Sequence, residues 1–140
     1  MSSSNAHIFL PLLSQVLLTV IVYVALAVAK SRAVKQGLVD LDRRGLHDDA
    51  WPQSVQTINN NIRNQFEVPV LFYVVSLSLF VLGVAGFVAQ VLAWTFVASR
   101  VVHVCIHLGA NNVRARRAVF MFGCVLVLAM LVLAVVAAIR

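Results

Sequence analysis

The sequence predicts an all-α protein, an integral membrane four-helix bundle. Three observations lead there. The 140 residues are 61% hydrophobic and only 11% charged, against about a quarter charged in a soluble domain. The apolar residues gather into four runs, each long enough to cross the ~30 Å hydrocarbon core as a helix. The cations cluster just outside those runs, where they orient the spans and anchor them to anionic lipid. The net charge of +6 is thereby explained without nucleic acid. Cys105 and Cys124 both lie inside apolar runs. They read as free thiols among packed helices or lipid, not as a disulfide framework.

The whole chain reads as a single membrane domain. The first span covers about residues 7–29. Ala27–Val28–Ala29 imitates a leader-cleavage site, but no Lys or Arg precedes the run, the run is too long, and the cations follow it. It therefore reads as a retained anchor, whose Ser14, Gln15, Thr19 and Tyr23 serve contacts between helices. Residues 30–59 form a hydrophilic loop. Lys30, Arg32 and Lys35 stand nearest the span, Asp40, Asp42, Asp48 and Asp49 alternate with Arg43 and Arg44, and Trp51 marks the interface. His47 beside Asp48 and Asp49 reads as a solvated turn, because nothing fixes a metal geometry there.

The second span covers about 60–82. Pro69 cannot donate to the Gln65 carbonyl, so a kink or a helix start is expected there. Gly83 and Gly86 give a tight uncharged turn. The third span, about 88–108, carries Trp94, Arg100, His103 and His107. After a short basic connection, the fourth covers about 119–139 and holds no charge. The first and third loops hold nearly all the Lys and Arg. The positive-inside rule puts both in the cytoplasm and both termini on the opposite side. Short loops and the lack of an address signal favour a bacterial inner membrane.

Two polar faces then share the cytoplasmic surface. Asn60, Arg63, Asn64 and Glu67 fall on one side of a continuous helix, roughly 60° or less to either side of Asn60. An ionisable group so close to a membrane helix is a functional-site hypothesis by default. Arg100, His103, His107 and Arg114 share a ~60° arc if the third helix continues through Gly109. If it ends there, Arg114 lies in a loop. The excess of positive charge suits an anionic ligand, since a guanidinium fork binds carboxylate at two points. Arg100 needs a partner, and either it pairs with Glu67 or Glu67 is left for a ligand. His103 and His107 lack a well-placed third metal ligand, so no metal site is expected. Arg116 and Arg117 read as orientation signals.

Arg63–Asn64–Gln65–Phe66–Glu67–Val68–Pro69, with Arg100, His103, His107 and a later Arg114, resembles the MAPEG family (membrane-associated proteins in eicosanoid and glutathione metabolism). The likeness covers nearly the whole chain and is strongest to bacterial members. It implies a homotrimer with glutathione bound between protomers near the cytoplasmic face. Asn64 and Glu67 match the family's Asn-x-x-Glu, in which the Glu holds the amino end of glutathione. Arg63 falls where some members contact the ligand. His103 and His107 fall where glutathione-dependent members have His or Tyr. Lys30 or Arg32 stands for a basic residue ending the first helix. The chain departs from the family at Asn60, where an Arg is common, and in the spacing from Glu67 to Pro69.

With glutathione as co-substrate, its carboxylates would pair with Arg63, Lys30 or Arg32, and its amino group with Glu67. A thiol is mostly protonated at neutral pH, so catalysis needs a stabilised thiolate. Arg114 is the first candidate for that, with His107 as donor or base. A lipophilic electrophile or hydroperoxide would enter from the membrane lipid, and the reaction would be conjugation or peroxide reduction. The alternative is a non-catalytic scaffold whose polar faces are inter-subunit salt bridges. A proton-coupled exporter is disfavoured, because Glu67 lies near the surface and no other span carries an acid.

Overall fold

A computed structural model describes residues 3–140, and side chains from Asn5 onward. A short helical turn, α1 (Ser3–Ala6), precedes α2 (Phe9–Lys35). A loop containing one 3-10 turn at Asp48–Ala50 leads to α3 (Gln53–Gln65) and α4 (Val68–Val81). Then come α5 (Phe87–Leu108) and α6 (Val113–Ala138). Among the described residues, four helical stretches are long and apolar enough to cross a membrane, α3 and α4 together counting as one. Loops join α2 to α3 and α5 to α6 at one end of the bundle, the loop end. A tight turn joins α4 to α5 at the other.

The elements differ from the sequence-based bounds in three ways, each with a local cause. α2 continues to Lys35 because nothing breaks it sooner. At ~1.5 Å per residue it is about 40 Å long, so its last turns, with Lys30, Arg32 and Lys35, outrun the hydrocarbon core. It stops at Gly37, whose φ of 67° only glycine adopts freely. There Gly37 N–H donates to Val34 O and Leu38 N–H to Ala33 O, closing the orphan carbonyls. The second helical stretch begins at Gln53, inside the expected loop of residues 30–59, and it is two helices, the second starting where Pro69 predicts a start. α3 ends at Gln65 and α4 begins at Val68 with Pro69 in its first turn, so the chain breaks at Phe66 and Glu67. The proline supplies no N–H for the Gln65 carbonyl and disfavours a helical residue before it. Finally, α6 starts at Val113, well before 119. Asn112 caps it, its Oδ1 accepting from Ala115 N–H at 3.1 Å. The third helix therefore ends at Leu108, and Arg114 belongs to the next helix.

Packing is closest between α5 and α6. α4 also rests on α6, and α2 packs on α3 and α5. Two apolar cores result. The turn-end core includes Phe72, Leu79, Ala93, Phe96, Leu126 and Met130, with Phe72 and Phe96 stacked at 4.4 Å. The loop-end core holds Val22, Leu26, Ala33, Val55, Ile62 and Val104. Many outward Leu and Val residues on α2, α4 and α6 stay exposed, as lipid-facing positions should.

Gly123 lets α6 approach α5. A Cβ there would stand 3.5 Å from Phe96, 3.6 Å from Ser99 Oγ and 3.7 Å from Arg100 Nη1. A methyl fits at those distances, whereas a longer side chain must displace a ring or a guanidinium. Gly123→Leu is expected to destabilise by about 1–3 kcal/mol through overpacking. Gly123→Ala should be neutral or slightly stabilising, with a helix-propensity gain of up to ~1 kcal/mol. Thermal unfolding of the two variants in detergent checks this ordering.

Candidate functional site

Between the two apolar cores lies a layer of enclosed polar side chains. On α2, Gln15 sits between Ile8 of one core and Val22 of the other. Across the α3–α4 break, Gln65 sits between Ile62 and Val68. On α5, Arg100 and His103 sit between Val97 and Val104. Gln15, Asn61 and Arg100 are fully buried, and Gln65, His103 and His107 nearly so. Polar groups enclosed this way must pair or cost free energy.

Most do pair. Gln15 Nε2 donates to Gln65 Oε1 at 2.9 Å, and Gln65 Nε2 donates to Asn61 Oδ1 at 3.1 Å. Asn61 Nδ2 lies 2.9 Å from His107 Nδ1. The His107 ring meets His103 edge-on at 5.7 Å, and His103 Nδ1 lies 3.4 Å from Arg100 Nη2. Gln15 Oε1 has no partner among the described residues, and the larger exception is Arg100. Its Nε and Nη1 have no hydrogen-bond partner among the described residues. Its guanidinium lies 5.6 Å from the Phe120 ring centroid. Glu67 acts on it only at a distance, because none of the ion pairs among the described residues joins the two.

From this layer a cleft of about 300 Å³ opens between α3 and α6, lined by Asn64, His103, Val113, Arg116, Arg117 and Phe120. Arg116 Nη1 donates to Asn111 Oδ1 at 2.8 Å, which holds that guanidinium in place. Three arginines in the first turns of α6, with no acid in the first turn, crowd positive charge onto the positive end of the helix dipole. Each such cation costs roughly 0.3–1 kcal/mol unless an anion offsets it.

The residues named from sequence are dispersed accordingly. Asn64 and His103 reach the cleft, and Arg100 and His107 stand in the buried layer behind it. Arg114 is exposed and does not line it; Arg116 and Arg117 do. Asn60, Arg63 and Glu67 are exposed, and the helix expected to carry all three ends at Gln65, before Glu67. Arg63 is bound to the loop through an ion pair with Asp48. Lys30 Nζ covers the Trp51 ring at 4.8 Å and lines a separate polar pocket of about 180 Å³, while Arg32 is exposed. In the same loop Arg43 donates to Asp49 at 2.8 Å and holds its carboxyl below the usual range.

Exposed ion pairs contribute little. Arg63→Ala is expected to cost less than about 1 kcal/mol, with the difference shrinking at high salt. Denaturation midpoints at low and high ionic strength check it.

The inward amides Asn61 and Gln65 were not among the sequence candidates, nor was Arg116 given a ligand role. A signal for the amides was present. Val55, Ile58 and Ile62 form an apolar stripe on α3, and Asn61 and Gln65 flank it.

Four apolar helical stretches around an enclosed layer of amides, imidazoles and a guanidinium define an integral, multi-pass membrane protein. A model of the MAPEG family matches residues 8–136. The chain therefore belongs to the MAPEG family, with its all-α four-span bundle. No curated protein and no solved structure matched the chain.

Proposed function

We propose that the protein binds glutathione and uses its thiol on a lipophilic electrophile or hydroperoxide, as a transferase or peroxidase, within a homotrimer. The observation that carries this reading is the cationic cleft at the start of α6. Its two guanidiniums, an imidazole and an amide suit a small ligand with carboxylates and a thiolate. Phe120 gives it one apolar wall, where a lipid-soluble second substrate could rest. In this reading Arg116 takes the thiolate-stabilising role that the sequence assigned to Arg114, because Arg116 lines the cleft and is held there by Asn111.

Outward Glu67 is then placed to meet a neighbouring protomer or the ligand's amino group, beside an Asn60 whose Oδ1 accepts from Arg63 Nη1 at 3.4 Å. The same exposure favours a second reading, in which Glu67 is an inter-subunit salt-bridge partner and the protein is a scaffold. A thermal-shift titration with glutathione and with glutathione sulfonate separates the two, since a ligand of the folded state raises the melting temperature. A saturable shift that vanishes in Arg116→Ala, with the oligomer intact, supports the enzyme reading. No shift at millimolar ligand, with an oligomer that falls apart in Glu67→Gln, supports the scaffold.

A further inference from the structure

The chain Gln15–Gln65–Asn61–His107 has a direction, and the direction decides which nitrogen of His107 carries its proton. Side-chain amides donate through nitrogen and accept through oxygen. Gln15 donates to Gln65, and Gln65 donates to Asn61 through Nε2. The Asn61 oxygen is thus occupied, and its Nδ2 faces His107 Nδ1 at 2.9 Å. That nitrogen must accept, so the proton of a neutral His107 sits on Nε2.

The opposite direction would require all three amides to turn over. The two directions are not equivalent. In the first direction one carbonyl oxygen of the chain, Gln15 Oε1, has no partner among the described residues. Reversed, it would leave the Gln15 amide N–H groups unpaired in a fully buried position. Orphaned donors are rarer in folded proteins than under-used acceptors. The neighbouring ring is constrained the same way. A guanidinium has no acceptor, so the contact from Arg100 Nη2 requires His103 Nδ1 to accept as well.

We infer that Asn61 is a positioning residue, which fixes His107 as its Nε2–H tautomer through the amide chain that reaches back to Gln15 on α2. Arg100 does the same for His103. Both imidazoles therefore present a donor to whatever lies beyond them, and neither Nδ1 is free to act as a base. Of the two roles left open for His107, donor and base, the structure selects the donor. The use of that donor toward a thiolate rests on the glutathione reading; the tautomer does not.

The experiment is nitrogen-15 NMR of the full-length protein in detergent at neutral pH, with only histidine labelled. Long-range nitrogen–proton correlations distinguish a protonated ring nitrogen from a bare one. Of the four histidines, His7 and His47 are exposed and serve as controls for averaged tautomers. His103 and His107 should each show one fixed pattern, with Nδ1 bare and Nε2 protonated. Asn61→Asp can only accept at that position and should move the His107 proton to Nδ1. Asn61→Leu directs nothing and should leave His107 averaged like the controls, with the His103 pattern kept. A wild-type His107 protonated at Nδ1, or a His107 pattern unmoved in folded Asn61→Leu, would overturn the inference. Loss of glutathione binding alone would overturn the functional reading and leave the tautomer assignment standing.

Discussion

Arg116→Ala is expected to lower glutathione-dependent turnover by about 10²-fold or more, the usual consequence of removing one preorganised donor from a developing or resting anion. Arg114→Ala should leave turnover close to the parent. The contrast follows from placement. Both residues lie in the first turn and a half of α6, but only Arg116 lines the cleft, held by Asn111 at 2.8 Å. Arg114 is exposed. A dipole or net-charge effect would act on both variants alike, so equal losses would show that the cleft is not where the thiol is activated. Steady-state kinetics of the two proteins with a chromogenic lipophilic electrophile decides it. Arg116→Lys sharpens the test, because an ammonium keeps the charge while losing the planar fork.

The second large effect is on stability. Gln65→Leu is expected to destabilise by about 1–3 kcal/mol for each of the two buried groups it strands, Gln15 Nε2 and Asn61 Oδ1. An average hydrogen bond between membrane helices is worth only ~0.6 kcal/mol, because the separated helices find other partners. The larger figure applies here because Gln15 and Asn61 are both fully buried, so neither gains solvent when the glutamine is removed. One of the two lost bonds joins α2 to α3, and the other lies within α3. Outward Asn60→Leu, one residue from Asn61, should by contrast change stability by less than about 0.5 kcal/mol. Unfolding midpoints of the two leucine variants, compared in the same detergent, provide the check. Equal midpoints would mean that the amide chain contributes nothing beyond filling space.

The polar layer also bears on why Arg100 is tolerated. A guanidinium enclosed between two apolar cores, with two nitrogens unpaired among the described residues, stands against a desolvation cost of several kcal/mol. The Phe120 ring, the His103 nitrogen and the absence of a side chain at Gly123 ease its placement. They do not neutralise it. An anion entering the adjacent cleft would act on this charge as well as on Arg116, through surroundings that screen it far less than water does.

The sequence by itself determined the four spans, their alternation with basic loops and the break before Pro69. Each rests on local chemistry. Transfer of some twenty side chains into hydrocarbon dominates every other term along a span, and a missing N–H interrupts a helix whatever surrounds it. The cap at Asn112, which begins α6 and carries Arg116 into place, was equally local and could have been read from the same residues. Tertiary structure alone decided which polar groups meet. Asn60, Asn61 and Asn64 are the same residue type on one short helix, yet they point respectively outward, into a buried chain and toward a cleft. Their fates depend on how α3 is turned against α2 and α5. The choice of Arg116 over Arg114 likewise depends on the side of α6 that packs on α5. Burial and hydrogen-bond satisfaction are properties of several helices at once, so no single segment encodes them.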